Sequence, residues 1–179
     1  MLNDEYFAFE LRAATTSSRR GERSRHKVVV LDLEKGEPRF VGELETNEFS
    51  INAVISGDRL YLGVMASVKT GTGIAQKIRA YDMRKGTSPW STAEFSGSSI
   101  RLWAYPTKDW VLVRKSAPRR SRARRGNAPE LYFIDARTGR VDDLVELTRD
   151  TAIADSPGMV VREETLVIST GTELKGWIK

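Results

Sequence analysis

Ala80-Tyr81-Asp82-Met83-Arg84-Lys85-Gly86 is the stretch whose reading decides the fold. An apolar run meets an Asp, and a Gly follows four residues later. Asp can bond the backbone two residues on, and Gly can take the positive φ that closes a tight turn. The stretch therefore predicts the end of one strand, a turn and the start of another. It recurs as Val30-Leu31-Asp32-Leu33-Glu34-Lys35-Gly36 and as Phe133-Ile134-Asp135-Ala136-Arg137-Thr138-Gly139, with the Asp residues 50 and 53 positions apart. A period of this size predicts stacked supersecondary units.

Working outward from Asp82, Ser50 to Ser56 and Arg59 to Ala66 are apolar runs separated by Gly57-Asp58. Lys77 to Tyr81 leads into the turn, and Pro89 to Phe95 leaves it. That makes four strands in one period. The third copy matches, with Ile100 to Tyr105, Trp110 to Lys115, Glu130 to Ile134 and Val141 to Leu147. These runs are rich in β-branched and aromatic residues and bounded by Gly, Pro, Asp and Asn. No apolar stripe of helical period and length is present. The first copy offers three strands, Tyr6 to Arg12, Lys27 to Leu31 and Phe40 to Leu44. After the third, Met159 to Arg162, Thr165 to Thr170 and Trp177-Ile178 read as two strands and the start of another.

Four-stranded repeats arranged radially are how a β-propeller limits exposed edges. The expected fold is all-β: an arc of about four antiparallel blades, two complete and two partial. The single repeat domain 1–179 divides into 1–46, 47–97, 98–150 and 151–179. The blade that would close a ring is not expected on this chain. An open arc exposes strand edges and apolar surface. Self-association or further blades are expected to cover them, with Tyr6, Phe7 and Phe9 at one end and Trp177 and Ile178 at the other as contact points.

The second repeat also runs Ala80-x-Asp82-x-x-x-Gly86-x-x-x-Trp90. This resembles the pyrroloquinoline-quinone-type (quinoprotein-like) propeller repeat, Ala-x-Asp-x-x-Thr-Gly-x-x-x-Trp. The resemblance implies that Trp90 staples its blade to a neighbour. Lys85 stands where Thr is usual, and the Trp position is Phe40 in the first copy and Asp143 in the third. Quinoprotein dehydrogenases use an adjacent cysteine pair, a calcium site and a catalytic Asp in a complete ring. This chain has no cysteine, and many propellers of this repeat bind no quinone and act as interaction scaffolds. No cofactor and no metal site is therefore expected. The leading expectation is a non-catalytic scaffold. The alternative is a piece of a propeller enzyme, a dehydrogenase or hydrolase, whose catalytic residues lie on other blades.

The 179 residues suffice for a sizeable core, and the lack of cysteine leaves stability to packing. No segment is long and apolar enough to span a membrane. With Met1 as the true start, the absence of a basic and then apolar leader predicts a cytoplasmic protein.

The net charge of +5 is unevenly spread. Residues 19–27 net +4 and residues 119–125 net +5, which leaves the rest of the chain at −4. The first run holds Arg19, Arg20, Arg23 and Arg25, and the second Arg119, Arg120, Arg122, Arg124 and Arg125. Both fall between the second and third strands of their repeats. The same slot of the middle repeat holds Lys69 among Gly and Thr. Equivalent loops of a propeller emerge on one face. These cations are therefore the candidate binding residues for an acidic protein or polymer, or for nucleic acid, through forked contacts to carboxylate or phosphate. The competing expectation is a set of solvated loops.

Other constellations carry less. His26, the one histidine, lies in the first basic run with only Glu22 as a local carboxylate, and reads as part of that loop. Asp32, Asp82 and Asp135 share a turn position, which predicts a structural role. Lys69-Thr70-Gly71-Thr72-Gly73 lacks the order of a phosphate-binding loop. Trp90, Trp103, Trp110, Trp177, Tyr61, Tyr81, Tyr105 and Tyr132 fall in or beside strands and are expected in the core. Trp103 and Tyr105, on an innermost strand, are the exceptions that could face a central channel.

Overall fold

The computed structural model describes residues 6–12, 26–45, 48–67, 74–92, 95–96, 100–105, 109–115, 130–146, 159–162, 165–169 and 174–178. Of residues 12, 67, 74–75, 96, 103–105, 146 and 159–178 it describes the backbone alone. All the regular structure among them is β, in four antiparallel sheets. The first holds β1 (Tyr6–Arg12), β2 (His26–Asp32) and β3 (Glu37–Glu43) in that order. The second holds β4 (Glu48–Ser56), β5 (Arg59–Ser67), β6 (Ile74–Asp82) and β7 (Thr87–Ser91), with β8 (Phe95–Ser96) also on β6. The third is β9 (Ile100–Tyr105), β10 (Trp110–Lys115), β11 (Glu130–Asp135) and β12 (Val141–Glu146). The fourth is β13 (Met159–Arg162), β14 (Thr165–Ser169) and β15 (Leu174–Ile178). Two compact units, Met1–Ser96 and Gly97–Lys179, hold two sheets each.

The repeated phrase builds the same turn three times. Asp32 Oδ1 accepts from the N–H groups of Glu34 and Lys35, both at 3.1 Å. Asp82 Oδ1 takes Arg84 and Lys85 at 3.0 Å, and Asp135 Oδ1 takes Arg137 at 2.8 Å and Thr138 at 2.7 Å. In each turn the glycine N–H returns to the Asp carbonyl at 2.9 Å. Gly36, Gly86 and Gly139 have φ of 67°, 66° and 74°, the left-handed region that side chains disfavour. The Lys85 N–H, followed by that of Arg84, holds the Asp82 carboxyl below its usual range despite some desolvation. The register slips just before each turn, at Val30/Leu31, Ala80/Asp82 and Phe133/Ile134. The three aspartates are turn formers, as their shared position predicts.

Two details differ from the sequence reading. The strand expected from Pro89 to Phe95 begins earlier, at Thr87, and is described to Ser91 and again over Phe95–Ser96, with residues 93–94 outside the described residues. The Thr92 N–H bonds the Ile78 carbonyl and its Oγ1 accepts the Ile78 N–H, both at 2.9 Å. His26 is not a loop residue. It opens β2, opposite Arg12, and its carbonyl accepts the Leu44 N–H at 3.0 Å.

In the first unit the two sheets share a core. Ala8, Val28, Val30, Phe40 and Leu44 meet Ala53, Leu60, Leu62, Val64, Tyr81 and Met83. Strand alternation supplies both faces: Leu60, Leu62 and Val64 point to the first sheet, while Tyr61 and Trp90 meet in a tilted pair at 5.9 Å on the reverse side of the second. Phe40 lies against Tyr81 with ring centroids 5.3 Å apart. Asp58 ties the sheets at their rim, taking Arg39 from β3 at 3.1 Å and Arg84 at 2.7 Å. In the third sheet, Trp110 meets Phe133 edge-on at 5.4 Å and donates its indole N–H to Asp142. Tyr132 is half-buried, its hydroxyl on Glu130. The Trp103, Tyr105 and Trp177 side chains lie outside the described residues.

Candidate anion-binding face

The cations singled out from the sequence, Arg19, Arg20, Arg23, Arg25, Lys69, Arg119, Arg120, Arg122, Arg124 and Arg125, all lie outside the described residues. What the structure describes is the strand pairs that carry them. The segment 13–25 joins β1 to β2 beyond the pair Arg12–His26. The segment 68–73 joins β5 to β6 beyond Ser67–Ile74, and 116–129 joins β10 to β11 beyond Lys115–Glu130. β2, β6 and β11 each end in the Asp–Gly turn and pair with the strand that follows it. The three segments thus bridge equivalent strand pairs, at the ends remote from those turns.

The strand ends beneath these segments carry hydrogen-bonded polar groups, ion pairs among them. In the first sheet the His26 Nδ1 lies 2.7 Å from Glu10 Oε1. The other oxygen of Glu10 accepts the Ser50 N–H at 2.9 Å and the Ser50 hydroxyl at 2.8 Å. A nucleophilic triad needs the imidazole between hydroxyl and carboxylate. Here the carboxylate is in the middle and the hydroxyl donates to it, so the group clamps β1 and β2 onto β4.

In the second sheet Glu48 is 1% exposed. Its carboxylate meets Lys77 at 2.5 Å and Arg79 at 3.0 Å, and accepts the Glu45 N–H at 3.1 Å. Burial alone would push this carboxyl up, but the Lys77 hydrogen bond, the Glu45 N–H and the two cations together hold it below the usual range. Burial would likewise favour a neutral Arg79. Contacts to Tyr81, Glu48 and Glu45 outweigh that and keep it charged.

In the third sheet Glu130 accepts from Tyr132 and, at 2.9 Å, from Lys115. The Tyr132 hydroxyl, opposed by modest burial and helped by Lys115, lowers the Glu130 carboxyl. The Glu130 hydrogen bond raises Lys115 in turn. Arg114, next in sequence, is on the opposite face and is 6% exposed. Its Nε has no hydrogen-bond partner.

Glu10, Glu48 and Arg114 were not singled out from the sequence. A partial signal exists: in Lys77-Ile78-Arg79-Ala80-Tyr81 the cations alternate with apolar residues, which places both on one face of a strand. Nothing in the sequence says that Glu48 crosses over to them. Among the described residues no group of His, Cys, Asp or Glu is arranged to hold a metal ion. No helix among them is long and apolar enough to cross a membrane. No protein-family model matches the chain, and no curated protein matches it.

Proposed function

We propose that this chain is an interaction scaffold, a propeller arc of quinoprotein-like repeats whose Arg-bearing segments take an acidic partner. One observation carries the reading. The segments 13–25, 68–73 and 116–129 bridge equivalent strand pairs of three like sheets. In a radial stack they emerge together, and ten cations then share one face. The ion pairs beneath them already engage Lys77, Arg79 and Lys115. Those carboxylates satisfy the strand-end cations.

The test is fluorescence anisotropy with labelled poly-glutamate at low and moderate salt. Replacing Arg119, Arg120, Arg122, Arg124 and Arg125 by Ala should weaken binding about ten- to a hundredfold and flatten the salt slope. Replacing Arg19, Arg20, Arg23 and Arg25 should do the same. Affinity that is indifferent to salt, or unmoved by both variants, would sink the reading. Displacement of poly-glutamate by single-stranded DNA at lower concentration would assign the face to nucleic acid instead.

A second observation supports the arc. Leu31 and Tyr81 each precede the turn Asp, and they pair with Phe7 and Leu60. Phe7, Leu11 and Leu33 therefore hold the places that Leu60, Val64 and Met83 hold one sheet on. The latter are at most 4% exposed beneath the first sheet, whereas the former are 38%, 50% and 44% exposed. Phe7 and Phe9 stack there at 5.7 Å. This outer face is shaped to receive a further sheet of the same repeat, supplied by a second copy. Light scattering at tens of micromolar chain should give a mass above one chain. Phe7→Asp with Leu11→Lys should return it to one chain with the melting temperature little changed, since both positions are exposed. A wild-type chain that stays single at every concentration defeats this part of the proposal.

A further inference from the structure

We infer that Arg114 and Arg101 form a binding site for a phosphate-class oxyanion on the β9–β10 face. The inference does not depend on the Arg-bearing segments, and it stands or falls on different residues. Arg114 lies on β10 directly opposite Arg101 of β9 and, across the other ladder, opposite Leu131 of β11. Strand alternation puts Arg114 on the face of Leu112, and both Leu112 and Leu131 are at most 1% exposed. An arginine guanidinium stays charged in essentially every protein setting. Taking it out of water without a counter-charge is among the most unfavourable arrangements a fold can hold.

No carboxylate among the described residues pairs with Arg114. Glu130 is near in sequence register but on the opposite face, where Lys115 and Tyr132 engage it. Arg114 Nε is buried without a hydrogen-bond partner. Burial disfavours the charged form of Arg114, and among the described residues the like charge of Arg101 adds to it. The other buried cation cluster in this chain shows the contrast, because Lys77 and Arg79 converge on Glu48. Among the described residues, the third sheet has two cations at one place and no anion paired with Arg114. Arg101 is exposed and marks the side open to solvent.

Two positive charges call for a dianion, which favours a phosphate group over a single carboxylate. A guanidinium also presents its N–H groups as a fork suited to phosphate oxygens. The group could be the free ion or a phosphate monoester on a larger molecule.

Thermal melts of the full chain in sodium phosphate and in sodium chloride, at matched ionic strength and pH, test the site. Phosphate should raise the melting temperature saturably by several degrees, and chloride should not. Arg101→Gln should weaken the apparent affinity at least tenfold. Arg114→Met should melt higher than wild type in chloride, because it removes a buried unpaired charge, and should lose the phosphate response. Replacing the arginines of 119–125 by Ala should leave that response in place. Phenyl phosphate in place of inorganic phosphate separates the sources: tighter monoester binding assigns the group to a larger ligand, weaker binding to the free ion. Equal melts in the two salts would overturn the site. So would a phosphate response that survives Arg101→Gln undiminished, or one that vanishes with the arginines of 119–125. If Arg114→Met does not fold, the Arg101→Gln titration still decides.

Discussion

Glu48→Ala is expected to destabilise the first unit by about 3–5 kcal/mol, the range for removing one partner of a buried ion pair. The carboxylate is nearly solvent-free, and two cations and a backbone N–H converge on it. Lys77 and Arg79 are themselves mostly covered, at 21% and 12% exposed. With Glu48 gone they face each other without a counter-charge. Glu45 reaches Arg79 at 3.4 Å but is itself largely exposed, so it replaces little of the loss. The double variant Glu48→Leu with Lys77→Met should lose less than Glu48→Ala alone. It withdraws a charge from each side, and neighbours in one network do not add. Urea denaturation of the wild type and the two variants measures both losses. A Glu48→Ala loss below about 1 kcal/mol would show that water already solvates the cluster.

The same cluster sets an acid limb. The folded Glu48 carboxyl lies below its ordinary value, about 4.3 for glutamate. The unfolded chain therefore binds the extra proton first as pH falls. The Glu48 contribution is fully present above the unfolded value and is lost as pH drops through the folded one. Stability of the wild type should fall in that window, below about pH 4 to 5, and Glu48→Ala should flatten the fall.

The all-β strands and their Asp–Gly turns were legible because their signals are local. Asp32, Asp82 and Asp135 act within four residues of themselves, so their carboxylate bonds and the positive φ of the glycines follow from the phrase alone. Strand alternation then assigns faces without knowledge of the partner sheet. What escaped was everything that crosses between strands distant in the chain. Glu10 was one polar residue in an apolar strand, and nothing in the sequence joins it to Ser50, 40 residues on. His26 read as a loop residue because its neighbours Arg25 and Lys27 are basic, whereas pairing with Arg12 makes it the first residue of β2. Arg114 lies next to the end of a run, Trp110 to Lys115, that looks like any strand reaching solvent. Its burial is a consequence of packing and has no local mark. Phe40 was matched to the Trp place of the repeat, and its ring lies against Tyr81 of the second sheet.

That contact gives the second large expectation. Phe40→Ala should destabilise the first unit by about 3–5 kcal/mol, as aromatic truncations in a core do. Phe40 is 6% exposed, and its ring fills the space between Tyr81 and the backbone of its own strand. Gly42 makes that pose available. A Cβ at Gly42 would sit 2.8 and 2.9 Å from two carbons of the Phe40 ring and 3.4 Å from Tyr81. Gly42→Ala should therefore push the ring off Tyr81 and destabilise by itself, by about 1–3 kcal/mol, the usual range for overpacking. The two changes act on one ring, so they should not add. Once Phe40 is Ala, the closest obstacle to a Cβ at position 42 is gone and the remaining Tyr81 contact is an ordinary one. The double variant should match Phe40→Ala alone to within about 0.5 kcal/mol, a coupling that denaturation of the four chains resolves. Additive losses would mean that Gly42 is required for the backbone of β3 and not for the ring. The sheet-to-sheet contact would then rest on the aliphatic core of Leu60, Leu62 and Val64 instead of on the aromatic pair.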